Sequence, residues 1–97
     1  MSIRQLKDEQ LVLKIHETKD KSLFAEVINR YQNDVYGRAF ISCNKQEEEA
    51  TKLATDIFLK IWEDIESGEY KTPINVWIHM IANRMCIPYF RKYNKSQ

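Results

Sequence analysis

Glycine, proline and cysteine are scarce in this chain, with two of each among 97 residues. So few turn-forming residues argue against a β-sandwich or barrel, and they favour a single helical domain. We expect no signal peptide, and the sequence contains no apolar run long enough to cross a bilayer. Cys43 and Cys86 stand far apart and fit no metal-ligand spacing, so we expect a cytoplasmic, non-membrane protein with reduced thiols.

Residues typical of a catalytic centre are also missing. The two histidines, His16 and His79, lie in different predicted helices, and neither belongs to a triad-like pattern. There is no H-E-x-x-H sequence for zinc and no glycine-rich loop for phosphate. We therefore predict that the chain is not an enzyme and that it has no cofactor and no metal site.

Charge is nearly balanced overall, at +1, but it is unevenly distributed along the chain. Residues 45–69 contain eight acidic residues and three lysines, whereas residues 71–97 contain five basic residues and no acidic one. Separate acidic and basic segments allow a small domain to contact two different partners.

The spacing of apolar residues predicts four helices, at about 8–17, 22–42, 46–65 and 73–92. Asp8 is placed as the N-cap of the first helix, and Pro73 suits the first turn of the fourth. No repeat, low-complexity tract or strand-like alternation is present in the chain. The expected fold class is all-α, a compact bundle of about four helices forming one domain over residues 1–97.

Pro88 lies inside the fourth predicted helix. Proline cannot donate to the carbonyl of Arg84, four residues earlier, and it costs a helix interior roughly 3 kcal/mol. We therefore expect a kink or an interruption near residue 88, after which Arg91 and Lys92 would point at a changed angle.

Three segments occur in an order that resembles region 2 of sigma-70 family RNA polymerase sigma factors, most closely the extracytoplasmic-function group. They are "LFAEVINRYQNDVY", "ATKLATDIFLKIWEDI" and "VWIHMIANRMCIPYFRK". The most specific parts are Leu-x-x-x-Ile-Phe-Leu-Lys-Ile-Trp in the third helix and Trp-Ile-x-x-Ile-Ala in the fourth. The resemblance runs from about Asp8 to Lys92 and implies a sigma region 2-like fold and a role in bacterial transcription initiation.

The resemblance implies that the third helix binds the clamp helices of the polymerase β′ subunit. Carried over by position, the polymerase-binding candidates are Glu49, Lys52, Thr55, Asp56 and Lys60. Two of them depart from the family's pattern, since Thr55 stands in place of a glutamine and Lys52 reverses a charge.

The resemblance also implies that the fourth helix and the loop before it recognise and melt the promoter −10 element, capturing an unstacked base of the non-template strand. Asn83 and Arg84 lie at positions that contact the −10 element in the family, although the two residue types occur in reversed order. Pro88 stands where the family has a polar residue. The full set of DNA-binding candidates is Tyr70, Lys71, His79, Asn83, Arg84, Arg91 and Lys92.

Two other functions remain open from the sequence. One is a diverged protein-interaction domain, either a polymerase adaptor or the target of an anti-sigma factor, that does not read promoters. The other is an unrelated helix-turn-helix domain that binds duplex DNA in the major groove. The resemblance covers region 2 alone, so we expect either the first domain of a longer sigma factor or a free-standing module.

Overall fold

The computed structural model describes residues 2–94, which fold into four α-helices after a short 3-10 helix, Ile3–Gln5. The helices are α1 (Asp8–Thr18), α2 (Lys21–Ser42), α3 (Glu47–Ser67) and α4 (Ile74–Asn94). The expected all-α class is confirmed. Every predicted helix boundary lies within two residues of the observed one.

Helix ends follow the local chemistry of the chain. Lys19 ends α1 in the left-handed conformation, at φ 57°, and Gly68 ends α3 at φ 81°. The Asp20 carboxylate caps α2 by accepting from the Ser22 backbone amide at 2.9 Å. Its hydrogen bonds with Ser22, from the hydroxyl and then the amide, lower the pKa of Asp20. Asp8 was expected to cap α1 but is its first helical residue, with Lys7 at the N-cap.

The core lies where the four apolar stripes meet. α2 packs against both α3 and α4, and α1 contacts all three of the other helices. The isoleucine and leucine side chains on the inward-facing stripes of α3 and α4 are buried, which is typical of the core of a helical bundle. The fully buried large aliphatic residues are Leu11, Val12, Ile15, Val35, Leu53, Ile57, Ile61, Ile65, Ile74 and Ile78.

Of the two outcomes expected at Pro88, the interruption is wrong, because α4 continues through it to Asn94. The kink stays a prediction. Pro88 lies on the exposed side of the helix, and so does Arg84, whose carbonyl loses its partner. Water can satisfy an exposed carbonyl, which reduces the cost of the missing hydrogen bond. Beyond Pro88, Tyr89 and Tyr93 pack against the core and hold the last turns in place.

α1 is fixed to α2 through the side chain of Asp8. Its carboxylate accepts from Arg30 Nη1 at 2.9 Å and from the hydroxyl of Tyr31. Burial, followed by the hydrogen bond and charge of Asp8, raises the pKa of Tyr31. Arg30 also pairs with Glu26 one turn earlier, at 2.8 Å, so the contact is part of a small ionic network.

Candidate nucleic-acid and protein interfaces

A pocket of about 450 Å³ opens between α3, the 68–73 loop and α4; we call it the loop pocket. Cationic side chains reach it from three successive elements, with Lys60 on α3, Lys71 in the loop and Arg84 on α4. Two carboxylates, from Asp64 and Glu69, also line it. The remaining lining residues are apolar and come from α4: Trp77, Met80, Ile81 and Met85.

The charges in the loop pocket are mixed. Lys60 pairs with Asp64 on the same helix at 3.2 Å. The backbone amide of Glu69 donates to the carbonyl of Asp64 at 2.7 Å, which holds the start of the loop against α3. A site with both guanidinium and carboxylate groups matches the edges of a nucleobase, because carboxylates accept from exocyclic amines and guanidinium donates to ring acceptors.

Tyr70, a DNA-binding candidate, turns toward the protein interior. Its ring is half-buried and packs edge-on against Trp77, with ring centres 6.3 Å apart, and against His16 at 6.0 Å. Tyr70 therefore packs the loop against His16 and Trp77, while Lys71 lies exposed beside the pocket.

The other α4 candidates lie on a different side of the helix. Successive residues of a helix project about 100° apart, so Asn83 does not share the orientation of Arg84. The amide oxygen of Asn83 accepts from Arg38 on α2, and His79 Nε2 lies 3.4 Å from the carboxylate of Asp34 on α2. These contacts place Asn83 and His79 along the edge where α4 meets α2.

The last two cationic candidates lie near the end of α4. Arg91 lines a shallow pocket of about 290 Å³ together with Asn83, Cys86 and Phe90. The ammonium of Lys92 lies 5.2 Å from the centre of the Tyr93 ring. Since α4 is uninterrupted, both cations share one helix with Asn83 and Arg84. Lys95, counted in the basic segment, lies outside the described residues.

A larger cavity, of about 640 Å³, runs between α2 and α3; we call it the helix groove. Two large apolar side chains that line it are exposed, Leu59 at 55% and Tyr36 at 37%. Trp62, the last residue of the third-helix motif, is half-buried, with its ring 5.4 Å from that of Phe24. The other apolar residues that line the groove are Ile28, Ala54 and Phe58.

The five polymerase-binding candidates extend along α3 from the helix groove to the loop pocket. Thr55 lines the helix groove, but its hydroxyl donates to the carbonyl of Thr51 at 2.8 Å. Lys52 and Asp56 are exposed on the outer face of α3, and Glu49 pairs with Lys52 at 3.8 Å. Lys60 faces the loop pocket instead, beside the DNA-binding candidates Lys71 and Arg84.

Sequence reasoning missed residues in both cavities. Leu59 could have been found, since it is a large apolar residue outside the buried stripe of α3. Asp64 and Glu69 could not be assigned to the pocket from the sequence, because their proximity to Arg84 depends on how the loop packs against α4.

The chain matches no family model, and comparison with curated proteins and with solved structures gives no significant match. Across residues 2–94, none of the helices has both the length and the apolar character that a membrane span requires.

Proposed function

We propose that this chain is a sigma factor region 2 domain in bacterial transcription initiation. In this proposal the helix groove and the outer face of α3 bind the clamp helices of the polymerase β′ subunit. The loop pocket captures an unstacked base of the −10 element. The observation that carries the proposal is that α3 separates two cavities of different chemistry, one mainly apolar and one lined by five charged side chains.

The helix groove has the properties of a site for a partner helix. Helix-in-groove recognition places the apolar face of one helix into an apolar channel of another protein. Leu59, Phe58 and Trp62 supply such a channel, and the aromatic residues resemble the anchors that dominate protein interfaces. Lys52 and Asp56, exposed on the outer face of α3, add polar contacts at the rim.

The loop pocket has the properties of a site for a nucleobase. Its volume falls within the usual range for small-ligand pockets, about 300–1,000 Å³. Arg84 and Lys71 attract the phosphate backbone, and the carboxylates of Asp64 and Glu69 favour a base that carries an exocyclic amine. Extracting a base costs a few kcal/mol of stacking, which contacts inside the pocket must offset.

One observation favours the alternative of a protein-interaction domain, either a polymerase adaptor or an anti-sigma target, without promoter reading. The amide oxygen of Asn83 is engaged by Arg38. An amide held in this way is less available to a base edge.

Fluorescence anisotropy with a −10-like single-stranded oligonucleotide, at two salt concentrations, tests the DNA-binding surface. We expect Arg84→Ala to weaken binding by about tenfold, and Asn83→Ala to have a smaller effect because of its contact with Arg38. Lys14→Ala, which removes an exposed cation from α1, is the matched control. Absence of binding by the parent at low salt would reject promoter reading, and a preference for duplex would support a helix-turn-helix.

Pull-down of a β′ clamp-helix fragment tests the protein surface. We expect Asp56→Arg to reduce capture, whereas Glu17→Arg on the exposed side of α1 leaves it unchanged. Equal capture of both variants and the parent would show that the outer face of α3 does not bind the clamp-helix fragment.

A further inference from the structure

Helix α1 holds the C-terminal end of α3. His16 Nδ1 lies 2.9 Å from the carbonyl oxygen of Ile65, and Lys19 Nζ donates to the carbonyl of Glu66. The last carbonyls of a helix have no partner within it, so donors from outside stabilise that end. A lysine ammonium there also interacts favourably with the helix dipole.

The same helix holds the N-terminal end of α4. The carboxylate of Glu9 accepts from the backbone amide of Ile74, the first residue of α4, at 2.9 Å. A carboxylate at this position both satisfies a free amide and interacts favourably with the positive end of the helix dipole. α1 and its C-cap residue Lys19 therefore contact the chain two to three residues before the 68–73 loop and at the first residue after it.

His16 also contacts the loop itself. A Cβ added to Gly68 would lie 3.1 Å from His16 Cε1, so the loop backbone passes close to the imidazole ring. The Tyr70 ring packs edge-on against the same imidazole. Neither His16 nor Glu9 lines the loop pocket, whereas Glu69 and Lys71 of the loop do.

We propose that α1 is a positioning element for the loop pocket, with Glu9 and His16 holding the loop in its base-receiving conformation. This inference rests on the function proposed above. Fixing both ends of the loop means that its conformational entropy is lost on folding instead of on binding, which favours binding of the base. Glu9 and His16 thus act on DNA through the loop and not by touching it.

Two pairs of variants separate positioning from general stability. His16→Leu and Glu9→Ala remove the contacts, while His16→Asn retains a donor near Nδ1 and Glu9→Gln retains an acceptor. Glu17→Ala, on the exposed side of the same helix, is the matched control. The measurements are amide hydrogen exchange of the full chain and anisotropy with the −10-like single-stranded oligonucleotide.

We expect His16→Leu and Glu9→Ala each to accelerate exchange of the hydrogen-bonded Gly68 and Glu69 amides by about tenfold and to weaken oligonucleotide binding by about fivefold. Exchange in the α2 segment that lines the helix groove stays at the parent level. His16→Asn and Glu9→Gln restore both readouts to within about twofold of the parent.

The possible failures are distinguishable. A parent that does not bind the oligonucleotide overturns the proposed function and this inference with it. A parent that binds, together with variants that bind equally well, overturns the inference alone, whether or not loop exchange accelerates. Should His16→Leu fail to fold, Glu9→Ala at an exposed position decides the outcome by the same two readouts.

Discussion

The helix groove and the loop pocket share α3 as a wall but differ in how they are built. The groove lies between two long helices, and its exposed lining is mainly apolar. The pocket combines a helix, a loop and a second helix, and five charged side chains meet in it. An apolar channel between two packed helices suits a partner helix, whereas a charged pocket with a loop wall suits a ligand that must be recognised by its hydrogen bonds.

The difference also lies in what maintains each cavity. The groove depends on the packing of α2 against α3, which the buried stripes of both helices stabilise. The shape of the pocket depends on the loop, which α1 contacts at both ends through His16, Lys19 and Glu9. We therefore expect substitutions to affect the two cavities separately unless they reach the core of α3.

The largest effect should come from Ile61→Ala, which removes fully buried volume from the wall that both cavities share. We expect the free energy of unfolding to fall by roughly 2–5 kcal/mol, as measured by urea denaturation. Leu59→Ala, on the exposed side of the same helix, is the control and should change stability little. A loss below about 1 kcal/mol for Ile61→Ala would contradict the close packing of α3.

Leu59→Arg should affect the groove alone. We expect binding of a β′ clamp-helix fragment to weaken by about 30-fold, near 2 kcal/mol, because a cation enters an apolar channel. Oligonucleotide binding and stability should stay at the parent level, since Leu59 is 55% exposed. The control is Leu13→Arg, at a similarly exposed position on α1, and equal losses in both variants would point to a nonspecific effect of charge.

Pro88→Ala tests how much the proline inside α4 lowers the stability of the fold. The helix already runs through position 88, and alanine supplies the amide that can donate to the Arg84 carbonyl. We expect the free energy of unfolding to rise by about 1–2 kcal/mol, less than the full cost of an interior proline because the site lies in the last turns. Thermal and urea unfolding measure this, and a decrease in stability would mean that the proline ring makes a favourable contact.

The smallest effect concerns the two thiols, which lie away from both cavities. Burial is the main cause that raises the pKa of Cys43 and of Cys86. A neutral thiol is favoured in the folded state, so this contribution to stability is lost as pH rises above the unfolded thiol value of about 8.5. Between pH 8.5 and 10, we expect stability to fall less in the Cys43→Ala, Cys86→Ala double variant than in the parent.

Much of the fold was predictable because it depends on local patterns. Apolar residues at helical spacing identify all four helices, and Asp20 and Gly68 indicate where two of them begin and end. Pro88 was misjudged because the local rule describes an isolated helix. In the folded chain, packing of Tyr89 and Tyr93 on the core holds the turns beyond the proline.

The candidate sites were less predictable. Lys60 and Thr55 are five residues apart on one helix, yet the structure assigns them to different cavities. Asn83 and Arg84 are adjacent in sequence but differ in their neighbours. Asn83 accepts a hydrogen bond from Arg38 on α2, whereas Arg84 lines the loop pocket. In each case the neighbouring helix or loop decided the environment, and that information is absent from the spacing of residues along the chain.

The sequence by itself determined the helical class, the four apolar stripes and the separation of an acidic from a basic segment, because periodicity and charge are properties of neighbouring residues. The tertiary structure alone decided which charged residues converge on the loop pocket and which apolar residues stay exposed in the helix groove. It also decided the contacts of α1 at both ends of the loop, which join residues such as Glu9 and Ile74. Contacts between residues so distant in sequence exist only after the helices pack, because burial of the shared core brings them together.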